Sequence, residues 1–333
     1  MSLDISNLLQ VKQTRDHFPV LIQEFNDYLQ LHKSILAKNN QNNIPLYVDG
    51  TFGAGGYSEL ILQNTNANLI ATDRDSLVFP YKDKLKSLYQ DRFNFFHSTF
   101  SSLPKILSQN FNQKIDGLFL DLGISTMQLK DESRGFSFNS TGDFILEMGL
   151  NEISTVEFLT KVSEKNLSDI IYYYGEDFQA KKIAKAIIDY RNKNKLFKTK
   201  DLVESLRQVL GYKRKNTIDP LTKTFQALRI HINQELKEIT DLLQNIIPFL
   251  NQNAIIIVVS FHSLEDKIIK DFFKNPFKKN DTYITIKDSK DSSNIFTTLT
   301  KKIITPNDNE VKINPPSSSS RMRVALYTGN NQH

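Results

Sequence analysis

The chain has 333 residues, 39% apolar and 24% charged, which suits one large or two modest globular domains. It contains no cysteine, so disulfides and thiolate metal sites are excluded, and no apolar run reaches membrane-spanning length. Forty-two basic residues against thirty-seven acidic ones leave a net charge of +5, a mild lean toward polyanions that assigns no partner by itself.

The opening Met1-Ser-Leu-Asp-Ile-Ser6 lacks the basic and apolar segments of a signal peptide, so the expectation is a cytoplasmic protein. The first forty residues read as helical and polar, with His17-Phe-Pro-Val-Leu21 opening an amphipathic segment and Pro19 in a first helical turn. A strand over 45–49 then ends in Asp49 and breaks into Gly53, Gly55 and Gly56. That is the pattern of a buried parallel strand that turns tightly and lets a ligand touch bare backbone. The next strand, 69–73, ends in Asp73, where nucleotide-binding sheets carry an acid for ribose hydroxyls.

Spacing separates the possible cofactors. A dinucleotide fingerprint is Gly-x-Gly-x-x-Gly, whereas Ser58 stands here where its third glycine belongs. Asp49, just before the loop, would repel a pyrophosphate but suits the cationic end of S-adenosylmethionine. A nicotinamide oxidoreductase is therefore the disfavoured rival. None of the six histidines shows His-x-x-x-His spacing, and no metal is expected.

Further strands over 93–97, 117–122 and 254–261 alternate with helices, which predicts an α/β, doubly wound parallel sheet. Its ligands would sit at the carboxyl ends of the strands, where the glycine loop, Asp73, His97 to Phe100, Asp121 and Ser260 to His262 all fall. In Asp116-Gly-Leu-Phe-Leu-Asp121-Leu-Gly-Ile-Ser125-Thr-Met-Gln128, an apolar strand delivers Asp121 to the sheet's edge, followed by a turn with polar atoms. Asp121 as a helix cap is the plain alternative.

More than a hundred residues separate Asp121 from the strand at 254, far beyond what a crossover needs, so a subdomain is inserted. The expected division is 1–130 and 250–333 for the sheet domain and 131–249 for a helical, substrate-recognising insertion. Within 225–243, Phe225, Leu228, Ile232, Leu236, Ile239 and Leu243 recur at three and four, predicting one continuous helix. Thr222, Gln226, Arg229 and Asn233 line a neighbouring polar face. In Ser260-Phe-His-Ser-Leu-Glu-Asp266, Ser263 and Asp266 have capping-box spacing. Phe261 and His262 are left at the mouth of the cleft, to stack on a base and to contact phosphate or a base edge. The tail turns to period two, with strands expected over 282–286, 296–304 and 321–327.

These motifs resemble the MraW/RsmH-type 16S rRNA cytosine-N4 methyltransferases. The resemblance rests on His17-Phe-Pro-Val-Leu21, Asp49-Gly-Thr-Phe-Gly-Ala-Gly-Gly-Tyr-Ser58, Asp73-Arg-Asp75, Asp121 to Gln128, Arg134-Gly-Phe-Ser-Phe138 and Tyr174-Gly-Glu-Asp177. It continues through Thr224-Phe-Gln-Ala-Leu-Arg-Ile230, Asn233, Glu235 and Leu236, then Ser260 to Lys267, Ile304-Thr-Pro306, Asn314-Pro315 and Arg323-Val-Ala325. It implies a class I S-adenosylmethionine-dependent methyltransferase with a helical insertion, acting on a cytosine N4 at the decoding centre of 16S rRNA in the small subunit. Residue by residue, Gly55, Gly56 and Tyr57 would line the cofactor site, Asp73 would hold the ribose and Phe100 would flank the adenine. Asp121 and Gln128 would complete the pocket.

Two departures stand out. Position 57 is usually histidine in that family, and the stretch after Phe138 loses two acids and an arginine, with Ile145 and Glu147 in their neighbourhood. The second change motivates a rival reading, a non-catalytic rRNA-binding or assembly factor that keeps the fold.

The exocyclic amine of cytosine is a weak nucleophile because its lone pair is delocalised into the ring. An acceptor must engage its hydrogens as the nitrogen becomes tetrahedral, and positioning supplies most of the rate. The expectation is that Asp121 or the adjacent backbone accepts, with Ser125 nearby, while Phe261 and His262 clamp the base. Arg229 and Asn233 would orient the RNA.

Overall fold

The computed structural model describes residues 19–39, 43–194, 197–212, 219–276 and 295–329. The expected strand at 282–286 and the His17-Phe18 start of the first motif lie outside them. The chain forms two compact units, one of Met1–Gly123 with Glu238–His333 and one of Ile124–Lys237.

The first unit is built on a seven-stranded sheet, β1 (Leu46–Asp49), β2 (Asn68–Asp73), β3 (Phe93–His97), β4 (Ile115–Asp121), β5 (Leu250–Ser260), β6 (Phe296–Thr298) and β7 (Arg321–Tyr327). Their order is β3-β2-β1-β4-β5-β7-β6. Strands β1 to β5 are parallel, whereas β7 runs antiparallel to β5 and β6 antiparallel to β7. The parallel strands read as continuous apolar runs because both faces are covered; Ile255, Ile256, Ile257, Val258 and Val259 are all buried. Strand order reverses between β1 and β4, the place in such sheets where ligands bind at the carboxyl ends of the strands.

Helices α1 (Ile22–Lys38), α2 (Gly56–Asn64), α3 (Phe79–Tyr89) and α4 (Leu103–Asn110) accompany these strands. Helix α1 begins three residues beyond Pro19, because Leu21 takes a left-handed conformation and its N–H donates to Glu310 Oε1 at 2.7 Å. Pro19 packs on Gly56 instead, where an added Cβ would lie 2.1 Å from its Cγ. Buried His32 on α1 joins Tyr47 Oη and Asn253 O, each at 3.0 Å, and burial lowers its pKa to about 4, so this neutral ring has a structural task.

The helical unit holds α5 (Thr126–Lys130), α6 (Thr155–Lys161), α7 (Glu164–Gly175), α8 (Ala180–Lys193), α9 (Thr199–Leu210) and α10 (Leu221–Ile232). Phe144, Leu167, Ile171, Ile187, Leu202, Leu206 and Leu228 form its apolar core. The single helix expected over 225–243 is two, because α10 stops at Ile232 and α11 (Glu235–Ile246) starts afresh. Asn233 caps α10 and Gln234 takes a φ of 52°, which a continuous helix forbids. Asn233 also donates to Leu146 O and Arg229 O and accepts from Met148 N, so its amide favours the break.

The first unit closes with α12 (Ser263–Lys274) and α13 (Asp308–Ile313). The strand expected over 296–304 pairs only to Thr298; beyond it Ile304 makes an isolated bridge to Met322. Among the described residues, no helix is long and apolar enough to cross a membrane.

Candidate active site at the strand tips

The glycine loop is organised by two carboxylates. Asp49, buried at the end of β1, accepts from Thr51 N at 3.1 Å and from the Ser58 hydroxyl at 2.6 Å. Ser58, in the third-glycine position, is thus a partner of Asp49. Asp73, at the tip of β2, accepts from Gly53 N at 2.8 Å and Asp75 N at 2.9 Å. Burial raises both carboxylates to about pKa 6, even though these hydrogen bonds favour the charged forms.

The three glycines do different things. Gly53 has a φ of 54°, and a Cβ there would find nothing nearer than Thr51 O at 4.0 Å, so its face is open to a ligand. Gly55 has a φ of 76° and lies against the Phe52 ring, and Gly56 meets Pro19. Only the first fits the expectation of bare backbone left for a ligand. Tyr57 is buried; its ring lies 4.5 Å from that of Phe25 and its hydroxyl donates to Val20 O. Phe100 opens a short 3₁₀ turn and backs onto Gly50 at the tip of β1.

Asp121 ends β4, with its N–H donating to Thr51 Oγ1 at 2.6 Å. The residue as a whole is partly exposed, yet Oδ1 is buried without a hydrogen-bond partner among the described residues. Burial, and then the nearby charges of Asp49 and Glu265, push its carboxyl well above the usual range. Three acids are therefore held at strand tips where burial disfavours their charge, and at Asp49 and Asp73 hydrogen bonds partly offset it.

Gly123 follows with a φ of 91°, and the Phe261 ring lies 3.2 Å from the position of a Cβ there. Phe261 and His262 occupy the turn from β5 into α12. The helix is capped by His262 with Glu265, whereas Ser263 and Asp266 had the expected spacing. Glu265 Oε2 accepts from Phe261 N at 2.8 Å and from His262 N at 3.3 Å. Its Oε1 lies 3.1 Å from His262 Nε2 without hydrogen-bond alignment. Asp266 instead holds Arg323 of β7 through both oxygens, at 2.6 and 2.9 Å.

Within the helical unit the remaining expected residues are engaged locally. Ser125 and Gln128 form a reciprocal capping box on α5, at 3.2 and 2.9 Å, which accounts for both without a ligand. Arg229 binds Glu235 through two hydrogen bonds of 2.8 and 3.0 Å, and Asn233 is buried. Neither presents an open polar face of the kind expected for RNA contact. Thr51 and Glu265 were not singled out in the sequence, and Ser58 was noted there only for standing in the third-glycine position. Glu265 alone left a signal there, as an acid three residues after a possible cap.

The arrangement fits one ligand class. An open glycine N-terminal to α2, a ribose-type acid and two further acids suit a nucleoside carrying positive charge, and a pyrophosphate beside Asp49 and Asp121 would be repelled. Fold and strand-tip chemistry together define a Rossmann-like class I methyltransferase whose methyl donor is S-adenosylmethionine.

The MraW methylase family matches residues 14–327. The chain is 42% identical over 316 residues to a ribosomal RNA small subunit methyltransferase H of Orientia tsutsugamushi (strain Ikeda), covering 93% of this chain and 97% of that one. Proteins of the same name from Rickettsia canadensis (strain McKiel) and Ehrlichia ruminantium (strain Welgevonden) are 40% and 37% identical, covering 93% of this chain and 97% and 99% of theirs. The chain belongs to the MraW methylase family.

Proposed function

We propose that the protein methylates the exocyclic N4 amine of a cytosine in 16S rRNA, within the small ribosomal subunit and in the cytoplasm. The relatives' shared name supports a small-subunit rRNA substrate. The observation that carries the chemistry is Asp121: a carboxylate oxygen buried without a partner among the described residues at the tip of β4, two residues before Gly123 and its contact with Phe261.

S-adenosylmethionine would supply an electrophilic methyl group on a positive sulfur, its S–CH3 bond breaking to release S-adenosylhomocysteine. Asp73 and the Gly53 backbone would hold its ribose and Phe100 its adenine. Asp49 and Asp121 would take its cationic end. The remaining oxygen of Asp121 accepts a hydrogen bond from the cytosine amine and draws off a proton as the nitrogen gains its methyl group. Burial makes it a stronger base than a solvated carboxylate. Phe261 stacks on the extruded base, which offsets part of the few kcal/mol that flipping costs. Glu265 fixes Phe261 and His262 in their turn, and His262 contacts the RNA. Ser125, Gln128, Arg229 and Asn233 act indirectly in this reading, by shaping α5 and the α10–α11 corner. The helical segment, expected as 131–249, takes the part of substrate recognition.

The altered 141–149 stretch, which motivates the rival reading of a non-catalytic assembly factor, is built into the fold. Phe144, Leu146 and Met148 are buried in the helical core, and Glu147 accepts from Thr155 N at 3.0 Å. Incubation of unmethylated small subunits with labelled donor, followed by nucleoside analysis, tests the proposal. N4-methylcytidine is the expected product; donor binding without transfer would contradict it.

A further inference from the structure

Three exposed aromatic rings gather at one corner of the helical unit. Tyr172 and Tyr173 lie near the end of α7 and Phe178 on the turn into α8; they are 46%, 50% and 90% exposed. Tyr172 meets both others edge to face, at centroid distances of 5.2 Å to Tyr173 and 6.2 Å to Phe178. Apolar rings grouped in water forgo the stabilisation of burial, and such patches mark binding surfaces.

The turn that presents Phe178 is fixed. A Cβ on Gly175 would lie 2.7 Å from Lys223 O, so the chain passes against α10 at van der Waals distance. Gln226 donates to Tyr174 O at 3.1 Å and Lys223 to Glu176 O at 2.9 Å. Asp177 is buried and accepts from Gln179 N at 2.8 Å, while Glu176 is held at a φ of 49°. The backbone that carries the rings is therefore fixed before any partner arrives, which lowers the entropic cost of binding.

Charge selects the partner. Lys181 and Lys182 stand in the first turn of α8 and Lys185 follows, all exposed. Cations at that end oppose the helix dipole, so they contribute nothing to the helix there. The exposed acids beside the rings in sequence are Asp169 and Glu176. Flat rings with adjoining lysines match a nucleic-acid strand, whose bases stack and whose phosphates are anionic, better than a second copy of this basic chain.

We propose that Tyr172, Tyr173 and Phe178 form a stacking platform for unpaired bases of the RNA substrate, with Lys181, Lys182 and Lys185 along its backbone. This rests on the rRNA reading above and gives the helical unit its contact residues. Phe178→Ser and the double variant Tyr172→Ser/Phe178→Ser change exposed side chains, and unchanged thermal midpoints would show that they fold. Binding of labelled single-stranded oligouridine should weaken roughly ten-fold per ring removed. In the methylation assay the KM for small subunits should rise while kcat and donor affinity hold, and Phe178→Trp should restore binding. Lys181→Gln/Lys182→Gln should flatten the salt dependence of RNA binding. Unchanged RNA affinity and KM in the folded serine variants would overturn the platform while leaving rRNA methylation standing. Loss of self-association in place of RNA affinity would overturn it too, by making the corner a contact between copies. A wild-type protein that neither binds nor methylates rRNA would overturn the functional reading and this inference together.

Discussion

Asp121 combines two properties that pull against each other. Its Oδ1, buried without a partner among the described residues, disfavours the folded chain, yet the same burial makes the carboxylate a capable proton acceptor through its other oxygen. Asp121→Asn should therefore lower methyl transfer by at least about 100-fold, as loss of a general base does. It should also raise the thermal midpoint of the ligand-free protein above pH 7. Raised in the fold, this carboxyl binds its proton more readily than in the unfolded chain. The gain should thus shrink as pH falls and wild-type Asp121 becomes protonated. His32, lowered to about 4, works in the opposite direction between its unfolded value and 4, so the informative quantity is the difference between variant and wild type. A variant less stable than wild type at pH 8 would contradict the assignment. The acids at 49, 73 and 121 were legible in the sequence because each ends an apolar run. The parts played by Ser58 and Glu265 were not, since a serine inside a helix carries no pattern and an acid three residues after His262 reads as a capping partner only once the helix start is known.

At the scale of elements, two corners decide the local geometry. The α10–α11 break depends on Asn233, whose side chain serves Leu146 O, Arg229 O and Met148 N. Asn233→Ala would leave buried backbone groups unsatisfied and should cost about 2–3 kcal/mol, read by urea denaturation. A loss below about 0.5 kcal/mol would show that the break holds without it, as surface changes do. The sequence concealed this corner because the apolar spacing runs on through it; tertiary hydrogen bonds override the helical period. The second corner is the Gly56–Pro19 contact. Gly56→Ala must displace the proline ring, 2.1 Å from the new Cβ, and should cost about 1–3 kcal/mol by overpacking. Equal stability would place the loop's entry elsewhere. Here glycine spacing revealed the loop but left open which glycine faces a ligand, because that depends on neighbours remote in sequence.

Across the whole molecule, the doubly wound sheet was legible from the alternation of apolar runs with helical periods; the length between β4 and β5 suggested a division at 131–249, whereas the second compact unit spans Ile124–Lys237. The helical unit's architecture was less legible, because its short helices are fixed by mutual packing. Ile171, fully buried there, is a direct probe of that packing. Ile171→Ala should cost about 2–5 kcal/mol in unfolding, and a smaller loss would mean the core can collapse around it. The central claim concerns the sheet unit: acidic strand tips and an open glycine backbone hold a cationic nucleoside. Calorimetric titration with S-adenosylmethionine across pH tests it most directly. Asp49 and Asp73 titrate near 6 without ligand, and a cationic ligand favours their ionised forms. Affinity should therefore weaken as pH falls through about 6, by up to ten-fold per pH unit for each carboxylate involved, with Asp121 acting in the same direction. An affinity indifferent to pH, or a preference for NAD over the sulfonium donor, would contradict it.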